Sequence, residues 1–122
     1  MRNRIGRYMF AALLGPALLA AAGCHSYHID STVENRTGTA IQLLEVDYPS
    51  ASFGVDNVAS GADVHYRFQV RDSGPLKVQY TIKGGHQIQI TGPTLAERQE
   101  GQLQIVLLPD GKADFVPHLA PR

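Results

Sequence analysis

One cysteine, no tryptophan and two methionines are all that this 122-residue chain offers of the residue types that staple a fold, stack on sugars or ligate soft metals. A lone cysteine forms no intramolecular disulfide. Redox chemistry by a cysteine pair is therefore excluded, and the fold must be held by apolar burial and backbone pairing. No polybasic stretch is present, so the electrostatic footprint of a nucleic-acid binder is missing. From Tyr27 onward no run of ten or more residues has helical periodicity; Thr94 to Gln99 is the best candidate and amounts to one turn. Ser, His and Asp occur without a nucleophile elbow or another local catalytic signature. No internal repeat, low-complexity tract or interdomain linker follows Cys24.

The N-terminus is more specific. Arg2, Arg4 and Arg7 precede a 15-residue apolar stretch from Tyr8 to Ala22, and the small residues Ala20 to Gly23 lead to Cys24. A basic region, an apolar region and a small-residue cleavage site make the layout of a secretory signal peptide. A spanning helix needs about 20 apolar residues, whereas here Pro16 interrupts the run and His25 closes it. Removal of residues 1–23 leaves 8 Lys and Arg against 11 Asp and Glu, a balance of −3, and takes away both methionines, Met1 and Met9.

Ala21-Ala22-Gly23-Cys24 resembles the lipobox of bacterial lipoproteins, with Ala21 where Leu is usual. The resemblance covers about the first 24 residues. It implies that the chain is cut between Gly23 and Cys24, that the thiol of Cys24 carries diacylglycerol and that the new amino group is acylated. Each buried methylene contributes about 0.8 kcal/mol and two chains suffice for stable attachment, so three would hold the domain on a membrane. His25 is not the Asp that resembles an inner-membrane retention signal, which implies an outer-membrane address in a cell with two membranes.

The rest of the chain alternates with period two. Val64, Tyr66, Phe68 and Val70 interleave with His65, Arg67, Gln69 and Arg71; Leu76, Val78, Tyr80 and Ile82 interleave with Lys77, Gln79, Thr81 and Lys83. Such runs are half-buried strands. Gly84-Gly85 suits a two-residue hairpin needing positive φ, Asp72 to Pro75 a longer loop, and Pro109-Asp110-Gly111 a last hairpin. Strands are predicted near residues 26–34, 39–48, 62–71, 76–83, 86–91, 102–108 and 112–117. The fold class expected is all-β, an antiparallel β-sandwich of about seven strands with immunoglobulin-like architecture. It would occupy residues 30–122, after a signal peptide at 1–23 and a lipidated tether at 24–29. In the segment from Ile41 to Tyr48 the alternation breaks, and a bulge at Leu43-Leu44 would put all five apolar side chains inside.

Candidate chemistry is sparse. His25 and His28 have the spacing H-x-x-H, yet a metal site wants converging ligands and a tether does not preorganise them. The row His65, Arg67, Arg71, Lys77 and Lys83 would form an anion-binding face if residues 62–71 and 76–83 made one hairpin with Phe68 opposite Val78. Glu45 and Asp47 share a strand face, unlike the opposed carboxylates of a glycosidase, and calcium would need further oxygen ligands. Asn35-Arg36-Thr37 fits a glycosylation sequon and equally opens a turn at Gly38. The stretches VENRTGTAIQLLEVDYP and GPTLAERQEG resemble small uncharacterised secreted β domains of bacteria, a likeness that carries no activity.

These readings converge on a lipid-anchored cell-envelope module without catalytic activity or cofactor. Its partners would be the membrane, through the N-terminal lipid, and envelope proteins, through edge strands. The alternative is a periplasmic binder of a small anion or metal ion.

Overall fold

The computed structural model describes residues 26–120; the signal-peptide reading of residues 1–23, the lipidation site Cys24 and His25 lie outside them. Eight strands form: β1 (Ile29–Asn35), β2 (Ile41–Tyr48), β3 (Ala51–Val58), β4 (Asp63–Phe68), β5 (Gly74–Thr81), β6 (Gln87–Leu95), β7 (Glu100–Leu108) and β8 (Lys112–Ala120), with a 3₁₀ turn at Pro109–Gly111 between the last two. They make two four-stranded sheets, β4-β1-β7-β8 and β3-β2-β5-β6. The protein is an all-β sandwich. Among the described residues no helix is long and apolar enough to cross a membrane.

Alternation dictates the faces. Ile29, Ser31, Val33 and Asn35 of β1 point inward, as do Leu103, Ile105 and Leu107 of β7 and Leu76, Val78 and Tyr80 of β5, all of them buried. Among the described residues the buried apolar side chains lie between Ile29 and Leu107, with Ala113, Phe115 and Leu119 of β8 packed against them. Ile29, assigned from sequence to the tether, is instead fully buried as the first residue of β1.

Two polar side chains among the described residues, Ser31 and Asn35, are buried with them, and both are satisfied. Ser31 Oγ donates to the Tyr66 carbonyl at 2.9 Å. Asn35 Nδ2 donates to the carbonyls of Thr39 (2.9 Å), Val58 (3.1 Å) and Ala59 (3.1 Å), while its Oδ1 accepts from Thr37 N (3.1 Å) and Thr37 Oγ1 (2.7 Å). The amide that a sequon would glycosylate is thus turned into the fold. It fastens the β1–β2 turn to the end of β3.

Several expectations from sequence are corrected. Among the described residues there are eight strands rather than about seven, the addition being β3: Phe53, Val55 and Val58 carry its inward face, but Gly54, Asp56 and Asn57 dilute the signal. The pairing is antiparallel-dominated rather than wholly antiparallel, since β1 runs parallel to β7, with Ile29 opposite Gly101 and Asn35 opposite Leu107. Residues 62–71 and 76–83 do not form a hairpin. The segment between β4 and β5 crosses from one sheet to the other, so Phe68 lies opposite Ile29 and Val78 lies between Val46 and Ile90.

The bulge in β2 exists, with a register shift against β5 between Gln42 and Glu45. However, it turns Leu43 outward, 64% exposed at φ 51°, while Ile41, Leu44, Val46 and Tyr48 stay inside. Thr94 and Leu95 end β6 rather than opening a helical turn; the turn follows at residues 96–99, where Gln99 N donates to the Ala96 carbonyl and Arg98 sits at φ 64°. At Gly84 and Gly85 the expected positive φ values are found, 95° and 82°, but the loop holds three residues, 83–85, rather than two, since Ile82 N donates to the His86 carbonyl; the Pro109–Gly111 turn joins β7 to β8.

Candidate functional site

The segment from Ser26 to His28 enters at one end of the sandwich, beside the β2–β3, β4–β5 and β6–β7 connections. Hydrogen bonds stitch these pieces together. Arg71 N donates to Ser50 Oγ at 2.9 Å, Ser50 Oγ donates to the Gln69 carbonyl at 3.4 Å, and Arg98 N donates to the Val70 carbonyl at 3.0 Å. Glu97 N donates to Ser73 Oγ at 3.1 Å, and Gly101 N donates to the His28 carbonyl at 3.1 Å. Val70, 3% exposed, plugs the end of the core between them.

Two clefts open on this end and share Gln69 and Arg71. One, of about 560 Å³, is bordered by Ser26, Tyr27, Glu97 and Arg98; the other, of about 390 Å³, by His28, Tyr48, Tyr66 and Arg67. The second is floored by aromatic rings. Tyr48 stacks on Phe68 with centroids 4.0 Å apart, and Phe53 stacks on Tyr66 at 4.2 Å, joining the β3 and β4 edges of the two sheets. Burial, and beyond it the hydrogen bond and charge of Tyr66, push the Tyr48 phenol up to about 12.

The cations here differ in their partners. Arg67 Nε lies 3.6 Å from Asp30 Oδ1, an exposed pair that contributes little. Arg71 Nη2 donates to Gln69 Oε1 at 3.4 Å, and neither Arg71 nor Arg98 has a carboxylate partner among the described residues. Glu97 is the carboxylate on the same cleft wall. His28 is held by its neighbours: Gln69 Nε2 donates to its Nε2 at 3.4 Å, and its Nδ1 meets Ser26 Oγ at 3.3 Å.

The basic row expected from sequence is divided. Arg67 and Arg71 come together at this end, but His65 faces the outer surface of the first sheet, where its Nδ1 lies 3.0 Å from Thr32 Oγ1. Lys77 stands opposite Asp47 and Thr91 on the outer face of the second sheet, and Lys83 lies near the Pro109–Gly111 turn. The cause is the sheet crossing between β4 and β5. Glu45 and Asp47 do share a face, as expected, but Glu45 accepts a hydrogen bond from Gln79 Nε2. Among the described residues no group of three or more His, Cys, Asp or Glu is placed to hold a metal ion. Sequence reading missed Arg98, Tyr48, Tyr66 and Ser50 as parts of this end, because nothing local in the chain announces that three distant connections meet there.

No protein-family model and no curated protein matches the chain. A protein from Eubacterium rectale solved by NMR is similar to it in structure, with a TM-score of 0.55 and 12% identity over 79% of this chain and 95% of that one. The likeness is one of fold. It supports the two-sheet arrangement and brings no activity with it.

Proposed function

We propose that the protein is a bacterial lipoprotein of the cell envelope, cut between Gly23 and Cys24 and anchored through Cys24, with the outer membrane as its address. Its sandwich, immunoglobulin-like in architecture, serves as a non-catalytic interaction or accessory module. The observation that carries this reading is the sequence of residues 1–24: three arginines, an apolar stretch and Ala21-Ala22-Gly23-Cys24. The fold is compatible with it, since β1 begins at Ile29, five residues beyond Cys24, and the anchor and sandwich therefore abut. Envelope proteins are the expected partners, recruited by strand addition. Edge strands β6 and β8 carry Pro93 and Pro117, which blunt such pairing, whereas β3 and β4 carry no proline.

The test is the intact mass of protein purified from the membrane fraction of its host, read together with crosslinking in whole cells. Expected is a mass of residues 24–122 plus diacylglyceryl and one acyl chain, with crosslinks to envelope proteins that disappear in Cys24→Ala. An unmodified chain, or one keeping residues 1–23, overturns the anchor; lipidated protein that traps no envelope protein overturns the interaction role.

A second reading, a binder of a small anion, is favoured by one observation: Arg67 and Arg71 border the same cleft. Calorimetry against phosphate and sulfate tests it, and no heat with either removes it. The histidine-metal version has less to stand on, because His28 already has two partners.

A further inference from the structure

We infer that the twin cleft at the entry end is a docking site for the phosphate headgroups of anionic membrane lipids, with Arg71 and Arg98 as its phosphate-binding groups. The inference rests on the reading of Cys24 as the lipid-bearing residue. Ser26 borders the cleft and is two residues beyond Cys24. Two residues of fully extended chain span about 7 Å, so a thioether-linked lipid at Cys24 brings the cleft to the depth of the headgroups.

Charge and preorganisation favour that occupant. Guanidinium groups match phosphate oxygens in two-point hydrogen bonding. Those of Arg71 and Arg98 are left without a carboxylate partner among the described residues, although residues 24–122 hold 11 acids against 8 bases. Their backbones are bound into one assembly through Ser50 Oγ and the Val70 carbonyl. Arg98 is held at φ 64°, a conformation that a bulky residue adopts at a cost and that recurs at binding sites. Tyr27 and the exposed Tyr66 border the same clefts, and tyrosine is enriched where proteins meet the membrane–water interface. Glu97 and Asp72, on the flanking connections, oppose the binding, which makes it a local interaction of two arginines rather than the adhesion of a basic surface.

Residues 24–122, which contain the whole core, are to be coupled through their single thiol to a maleimide lipid in nanodiscs of phosphatidylcholine, with or without phosphatidylglycerol. The rate at which phenylglyoxal modifies each arginine is then read by mass spectrometry. One cation near an anionic surface gains enough for about a fivefold effect. Modification of Arg71 and Arg98 is therefore expected to slow about fivefold in the anionic discs. Arg36, at the opposite end of β1, keeps its rate; high salt abolishes the difference, and Arg71→Gln reduces the protection of Arg98. Equal rates in the two discs overturn the inference, as does slowing of Arg36 to the same degree. Protection by dissolved inorganic phosphate without any difference between discs also overturns it, in favour of a soluble anion. Because coupling supplies the lipid chemically, none of these outcomes depends on whether cells acylate Cys24, which the intact mass decides separately.

Discussion

Asn35 shows how much one side chain can hold. Its amide nitrogen faces three main-chain carbonyls and its oxygen two donors of Thr37, so the network fixes which way the amide points. Asn35→Ala strands several buried acceptors, at a cost of about 3 kcal/mol. Asn35→Asp should be worse at neutral pH than in acid, because a carboxylate confronts carbonyl oxygens while a carboxylic acid still donates once. Urea midpoints of the two variants at pH 4 and pH 7 check both statements. Tyr48 makes a prediction at the other end of the scale. Its folded pKa, raised to about 12 from 10.0, means that the folded state holds the phenol proton more tightly than the unfolded state. That stabilisation is whole below pH 10 and is lost as pH rises toward 12, on the order of 2 kcal/mol. Tyr80 is shifted in the same direction by burial and adds to the fall. Thermal midpoints measured from pH 9 to 12 should decline, and less steeply in Tyr48→Phe.

Strands reveal a different balance between sequence and tertiary context. β7 carries Gly101 at a φ of 136°, which other residues rarely adopt, and an added Cβ there would lie 2.2 Å from the His118 carbonyl oxygen. Gly101→Ala should cost at least about 2 kcal/mol through that clash, seen as a lower unfolding midpoint. β5 and β7 were legible in the sequence because Leu76-Val78-Tyr80 and Leu103-Ile105-Leu107 keep a strict period of two on a single buried face. β2 was legible only in part. Its inward side chains Ile41, Leu44 and Val46 change phase, and β3 changes phase with them, since Val58, Val55 and Phe53 are their register partners. The irregularity reads as noise in either strand alone and as order only when they are paired, so neither β3 nor the outward turn of Leu43 is legible from local alternation. The basic row failed for a related reason. Spacing along the chain says which face a residue takes, but the choice between a hairpin and a crossing to the other sheet rests on packing around Phe68 and Val70.

Across the whole molecule, the candidate site is a product of topology. Arg67 and Arg71 stand out as charges in the sequence, but that Arg71 meets Arg98, and that Arg67 and Arg71 meet Tyr48 and Ser50, depends on three connections gathering at one end of the sandwich. The proposed N-terminal signal is the reverse case, resting on a few adjacent residues because the processing it implies would act on an extended segment. The position of β1 between β4 and β7 has a further consequence for how the molecule comes into being. The neighbour of Val33 on one side is Val64 and on the other Ile105, so the strand nearest the chain's start depends on one close to its finish. Contacts of such long separation slow folding, because loop closure must precede any gain from pairing. A chain delivered from its N-terminus keeps its first strand without its parallel neighbour until residue 107 has arrived. The second sheet, whose four strands lie between Ile41 and Leu95, can pair in the meantime, so a chain released strand by strand completes its first sheet last.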